Sequence, residues 1–136
     1  MKRISKVIVM MLTVVFTITG CSVEEASNEK LRDLEFTIVE EADIPEELLS
    51  IIEEKKTSEF KITYTDNENL YICVGYGEQQ TGGYSIAVNA VYLTSNAIYI
   101  DTNLIGPSKD ENISEALSYP YVVVKTEYMD KSVVFE

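Results

Sequence analysis

The spacing of hydrophobic residues changes twice along the chain. Residues 7–18 form an almost uninterrupted apolar run, residues 44–52 carry apolar side chains at helical spacing, and from Phe60 onward apolar and polar residues alternate. A period near 3.6 residues is typical of an amphipathic helix, and a period of two is typical of half-buried strands. The pattern therefore predicts a short leader, one helix and then a series of strands.

The predicted helix lies between Asp43 and Lys56. Its apolar face consists of Ile44, Leu48, Ile51 and Ile52. Asp43 and Glu46 have the spacing of a capping box, and Pro45 suits a first helical turn because its missing N–H leaves no bond unmade. Lys55 and Lys56 follow near the negative end of the helix dipole.

The predicted strands are connected by short polar turns. They cover residues 34–40, 60–64, 70–76, 84–92, 97–103, 121–125 and 132–135. Successive strands with short connections favour antiparallel pairing, and the continuous apolar run 121–125 favours a central position. We predict the α+β class: a single domain with a mainly antiparallel sheet of about six or seven strands and one amphipathic helix packed on it, as one pair of layers.

The N-terminal leader predicts where the protein resides. A basic start and an apolar run of about 12 residues are typical of an export signal, because a membrane span needs about 20 apolar residues. The segment Ile18-Thr19-Gly20-Cys21 resembles the lipobox of bacterial lipoproteins. This resemblance implies that Cys21 is lipidated and holds the chain on the extracytoplasmic face of the cell membrane. An ordinary secretory signal beside a cysteine is the alternative.

The leader also sets the predicted domain organisation. Residues 1–20 are a signal peptide, residues 21–33 an acidic tether and residues 34–136 the α+β domain. The alternative for the tether is a frayed start of the first strand.

The net charge disfavours ligands that carry phosphate groups. The whole chain carries a net charge of −12, and residues 1–20 contain three basic residues and no acidic one, so the mature part carries −15. Such a surface repels phosphate groups, which disfavours nucleic acids and anionic lipid headgroups as ligands. Membrane attachment would therefore depend on acyl chains, each of whose buried methylenes contributes about 0.8 kcal/mol.

Composition also disfavours catalysis. The chain has no histidine, and Cys73, the cysteine left after lipidation of Cys21, lies in an apolar strand without an evident base. The acidic turns at residues 66–69 and 101–103 lack the spacing of a calcium loop. We predict a protein without catalytic residues, a metal site or a cofactor.

The loop that precedes the 84–92 strand is the strongest candidate for a partner-binding site. Its paired glycines permit unusual backbone conformations, its neutral polar side chains offer hydrogen bonds, and its tyrosine could anchor a partner. The candidate residues are Gln79, Gln80, Thr81, Gly82, Gly83 and Tyr84. The alternative is a plain hairpin loop, and periodicity favours a core position for Tyr84.

A second candidate is the segment Tyr119, Pro120 and Tyr121. An aromatic residue before proline raises the chance of a cis peptide bond, and entry into a strand is the alternative. We expect a structural role. The chain has nine tyrosines and no tryptophan. This composition weakly favours a binding function over catalysis, since tyrosine has an apolar ring and a polar hydroxyl and suits protein-binding surfaces.

Two of these segments together carry a family resemblance. The segment 81–86 (TGGYSI) followed by 116–125 (ALSYPYVVVK) is similar to the signature of the PrcB-like protease-complex family. The resemblance implies a small domain of secreted proteins and lipoproteins with a role in a protein complex, and it implies no catalytic residues.

The leading hypothesis is a lipid-anchored, non-catalytic extracytoplasmic binding domain. It would engage or stabilise an exported or cell-surface protein, such as a protease, through residues 79–85. The alternative hypothesis is a cell-surface receptor for a small molecule or glycan, with tyrosines lining a concave face.

Overall fold

The computed structural model describes residues 29–110 and 112–136, and within them the chain forms eight strands and one α-helix. The elements are β1 (Lys30–Asp33), β2 (Thr37–Ile38), α1 (Glu46–Lys55), β3 (Glu59–Thr65), β4 (Asn69–Tyr76), β5 (Ser85–Thr94), β6 (Ala97–Ile105), β7 (Tyr121–Glu127) and β8 (Ser132–Phe135). The predicted signal peptide and Cys21 lie outside the described residues. In the described ranges, no helix has the length and apolar character that crossing a membrane requires.

The strands form two four-stranded sheets. The outer sheet has the order β1-β5-β6-β8, and the central sheet has the order β2-β7-β4-β3. All pairs are antiparallel except β6 and β8, which run parallel. The α+β class is confirmed, but the strands divide between two sheets instead of forming one.

The central sheet is the middle of three layers. One face of β4 and β7 packs against the outer sheet around Ile72, Val124 and Ile98, and the opposite face packs against α1 around Cys73, Val123 and Leu48. Strands buried on both faces read as continuous apolar runs, which explains the sequence of β4 and β7. The predicted central position of residues 121–125 is confirmed, because β7 has neighbours on both sides.

The N-terminal part of the sheet begins earlier than the sequence predicts. β1, the last four residues of the predicted tether, pairs with β5. The predicted strand at 34–40 is reduced to the two residues of β2, while Leu34 is buried between the sheets.

The helix is amphipathic as predicted, but its start differs. Asp43 ends a single turn of 3-10 helix (Glu41–Asp43), and its N–H donates to the Glu40 carbonyl at 2.8 Å. Pro45 is the N-cap residue, and no side chain caps the helix. The predicted capping box is therefore wrong, because the preceding turn takes Asp43 out of the cap position.

A β-bulge breaks the predicted alternation of β5. Val88 pairs with Thr102 and Ala90 pairs with Asp101, so Asn89 is an extra residue. An extra residue shifts every later side chain to the other face. Val91 consequently lies in the core, whereas Tyr92 lies on the outer face beside Tyr99.

Candidate functional site

The two sequence segments of the family resemblance meet in space. The Gln79 N–H donates to the Ser118 carbonyl at 2.8 Å, and the Ser118 N–H donates back to the Gln79 carbonyl at 3.0 Å. The Ser118 hydroxyl also donates to the Thr81 carbonyl at 2.6 Å. We name the surface formed by residues 79–84, Ile105 and residues 113–118 the motif junction.

The motif junction lies where the chain passes between the sheets. Residues 77–84 connect β4 of the central sheet with β5 of the outer sheet, and residues 106–120 connect β6 of the outer sheet with β7 of the central sheet. The hydrogen bonds between these connections therefore hold the same end of both sheets together.

Gly82 and Gly83 have different structural roles in the motif junction. The Gly82 N–H donates to the Ser114 carbonyl at 2.9 Å, so this backbone approaches its neighbour closely. Gly83 has a φ of +86°, and a Cβ there would lie 2.8 Å from Pro107 Cβ and 2.9 Å from Ile113 Cγ2. Only glycine meets both the conformational and the spatial demand at position 83.

The six predicted partner-binding residues form one loop and differ in exposure. Gln80 and Gly83 are exposed, whereas Gln79, Thr81, Gly82 and Tyr84 are half-buried. Tyr84 lies beside Gly106, so its ring is partly covered by its own chain. The surface that a partner could contact at this loop is thus centred on Gln80 and Gly83.

The segment Tyr119, Pro120 and Tyr121 leads into β7. The Pro120 carbonyl accepts the Tyr76 N–H at 3.0 Å, which extends the pairing of β7 with β4 by one residue. The described residues contain no cis peptide bond, so the proline functions as an ordinary strand entry. Tyr119 lies under the ammonium group of Lys56, 5.4 Å from the ring centroid.

Sequence reasoning missed three exposed apolar side chains around the motif junction. Ile105, Ile113 and Leu117 are 46%, 36% and 48% exposed. Ile105 pairs with Ser85, Ile113 lies against Gly83, and Leu117 precedes Ser118. Single exposed apolar residues are common, but three on segments that meet at one loop add apolar surface there, which suits protein contact. The turn-rich sequence around them gives no periodic signal that could have found them.

The Cys73 thiol and the Tyr121 hydroxyl do not have the properties of an activated nucleophile. Cys73 is fully buried, and burial raises the pKa of its thiol to about 12. Burial, followed by the nearby Glu41 carboxylate, raises the pKa of the Tyr121 hydroxyl. Within the described ranges, no three histidine, cysteine or acidic side chains are grouped as a metal site requires.

The tyrosines are distributed over several surfaces. Tyr64, Tyr71 and Tyr121 pack on the α1 side of the central sheet, and Tyr76 lies between the sheets. Tyr92 and Tyr99 stack on the outer face of the outer sheet. This distribution gives no support to a concave face lined by tyrosines.

Comparison with known families gives one result. Residues 70–127 match the family model described as PrcB C-terminal, which confirms the resemblance seen in the sequence. The matched range runs from β4 to the end of β7 and contains the whole motif junction. No curated protein and no solved structure shows significant similarity to the chain.

Proposed function

Because residues 70–127 match the PrcB C-terminal family model, we propose that the chain is a lipid-anchored, non-catalytic extracytoplasmic protein that engages or stabilises an exported protein such as a protease. The motif junction is the proposed contact surface. The observation that carries the proposal is that both signature segments of the family build this one surface through direct hydrogen bonds.

The exposed groups of the motif junction suit a protein partner. Gln80 and Gly83 offer polar side-chain and backbone groups, and Ile105, Ile113 and Leu117 add exposed apolar side chains to the same surface. Exposed apolar side chains combined with groups that can form hydrogen bonds are the usual composition of a protein contact site. Because the loop is already held by its neighbours, little conformational entropy is lost when it binds.

The proposed anchor places the domain close to the membrane. Eight residues separate Cys21 from Lys30, the first residue of β1. Even a fully extended chain of this length spans only about 30 Å. The proposed partner is therefore a protein that itself lies at the membrane surface or is retained there.

The proposal is tested by crosslinking in intact cells followed by purification of the lipidated chain. The test variant carries Ile105→Ser and Leu117→Ser, which remove apolar surface from the motif junction without touching the core. The control is Val134→Ser, an exposed apolar position on β8 of the outer sheet. Thermal unfolding of all three proteins establishes that they are equally folded.

We expect the unsubstituted chain and the control to capture the same exported protein, and the double variant to lose it. The cellular half-life of that protein should also fall in the double variant. Equal capture by all three proteins would remove the motif junction as the contact surface.

A further inference from the structure

The edge of β7 is left open near the motif junction. β2 pairs with β7 only at Thr37 and Ile38, and the Val39 N–H then donates to the Val123 carbonyl at 2.8 Å. Beyond Val39 the chain turns away into the single 3-10 turn Glu41–Asp43. Within the described residues, the pairing of β2 with β7 therefore does not reach Tyr121.

The register shows where the backbone groups of Tyr121 point. The Pro120 carbonyl bonds to β4, through the Tyr76 N–H, and the Val123 carbonyl bonds to the β2 side. Successive residues of a strand direct their N–H and C=O groups to opposite edges. The N–H and C=O of Tyr121 consequently point to the β2 side, past the end of β2.

These groups border a cleft of about 310 Å³, which we name the β7 cleft. Its walls include Ile38 and Ile44 on one side and Tyr119, Pro120 and Tyr121 on the other, with Glu41 among the lining residues. Two further acidic residues close to Glu41 in sequence, Glu40 and Asp43, are also exposed. The cleft thus combines a free strand edge, apolar walls and an acidic rim.

We propose that the β7 cleft binds a short extended segment of the partner polypeptide as an added strand on Tyr121. A peptide backbone supplies the acceptor and donor that the Tyr121 N–H and C=O require, which is the chemistry of β-strand addition. An apolar side chain of the segment packs between Ile38 and Ile44, and a basic side chain pairs with Glu41. This inference rests on the proposed function, which states that the partner is a protein.

The longer free edge of the central sheet fits this role less well. β3 has seven residues at that edge, but its Lys61 points toward the sandwich, with the ammonium group 6.0 Å from the Phe135 ring centroid. A charged side chain pointing inward on an edge strand is a common device against added strands.

The first experiment measures amide hydrogen exchange by NMR in the full chain. The Tyr121 amide should exchange at least tenfold faster than the Val122 and Val124 amides, because those two bond to β4. Equal protection of all three amides would mean that the edge is already paired, and the proposal would fail.

The second experiment adds the pentapeptide acetyl-Lys-Val-Arg-Val-Lys-amide at millimolar concentration. We expect at least tenfold slower exchange of the Tyr121 amide and resonance shifts at Ile38 and Ile44. The same peptide with N-methylated valines lacks the donors for strand pairing and should give neither effect. No protection by the first peptide, or equal shifts with both peptides, would overturn the proposal.

A pair of matched variants tests whether the peptide binds in the β7 cleft. Ile38→Ser should weaken peptide binding at least fivefold, whereas Leu31→Ser should leave it unchanged; the two side chains are 49% and 60% exposed, and Leu31 lies on β1 of the other sheet. Equal binding by both variants would contradict the assignment. The Ile105→Ser, Leu117→Ser variant should still bind the peptide, so failure of the cleft and failure of the motif junction can be told apart.

Discussion

The central sheet and the outer sheet present their outward faces to different surroundings. The outward face of the central sheet carries Phe60, Ile62 and Cys73, and α1 covers it. The outward face of the outer sheet carries Tyr92 and Tyr99, and none of the helices and strands that the structure describes covers it. The comparison shows two ways to stabilise the outward face of a sheet. A helix buries the face of the central sheet, whereas contacts between side chains on neighbouring strands stabilise the face of the outer sheet.

Contacts across the strands organise the uncovered face. The rings of Tyr92 and Tyr99 lie parallel, 5.2 Å apart, and the Lys30 ammonium lies 5.7 Å from the Tyr92 ring centroid. The Tyr92 hydroxyl donates to Glu136 at 3.2 Å. Val134 pairs with Tyr99 from β8, so side chains of all four strands line up across the sheet. Such cross-strand pairs each contribute about 0.2–1 kcal/mol, much less than a buried helix face.

Chemical labelling of Cys73 would sharpen the comparison most, because this thiol lies between α1 and the central sheet. With its pKa raised from 9.0 to about 12, the thiolate fraction near pH 8 should be about a thousandfold lower than in the unfolded chain. Alkylation measured against denaturant concentration should therefore follow global unfolding. Labelling at a denaturant concentration where the sheets remain folded would show that the helix layer opens alone.

The raised pKa of Cys73 also makes the free energy of unfolding depend on pH. The folded chain holds the thiol proton more tightly than the unfolded chain, so this contribution to the free energy of unfolding is complete below pH 9.0 and declines as the pH rises towards 12. Cys73→Ala should reduce that decline. The remaining slope should come from tyrosines whose pKa burial also raises, such as Tyr71.

Truncation of Leu48 would break the helix-covered face. Leu48 is fully buried against the central sheet, and Leu48→Ala should lower the free energy of unfolding by about 3 kcal/mol, from lost burial and the cavity left behind. Urea unfolding measures the change. Leu49→Ala, at a half-buried position of the same helix, is the control and should cost clearly less. Equal costs would mean that α1 does not pack as described.

Substitution of Gly83 tests the junction between the two sheets. Gly83→Ala should destabilise by about 2 kcal/mol, because alanine resists a φ of +86° and its Cβ would overlap Pro107 and Ile113. Gly82→Ala is the matched control: its Cβ would lie 3.4 Å from the nearest atom, and its φ is not positive. Thermal unfolding that ranks the two variants in the opposite order would contradict this account.

The smallest effect is expected on the uncovered face. A double-mutant cycle with Tyr92→Ala and Tyr99→Ala should give a coupling energy of about 1 kcal/mol for the stacked rings. Tyr92→Phe should remove only the bond to Glu136 and change stability by less than about 0.5 kcal/mol. A coupling energy of zero would show that the stacked rings do not hold the outer sheet together.

Local sequence signals predicted the elements better than their arrangement. The period of α1 and the apolar run of β7 were sufficient, because each is set by which faces are buried. The bulge at Asn89 was not predictable, since the residues around it alternate without interruption and only the partner strand shows the extra residue. The capping box at Asp43 was mispredicted because a local motif competes with the preceding 3-10 turn.

For the candidate site, too, the sequence indicated the residues but not their arrangement. The glycines and the flanking tyrosines mark residues 79–84 and 119–121 in the sequence, and together they carry the resemblance that the family match over residues 70–127 confirms. Their contact through Ser118, and the apolar surface from Ile105 and Leu117, depend on two connections that are far apart in sequence. Neither periodicity nor spacing contains that information.

By itself, the sequence determined the α+β class, the helix α1, the central position of β7 and the resemblance to the PrcB C-terminal family. These follow from side-chain periodicity and local residue preferences, which act within a few residues. The tertiary structure alone decided the division into two sheets, the open edge at Tyr121 and the meeting of the two signature segments. Those features depend on strand pairing between distant residues, where register and layer order are set by the packing of the whole domain.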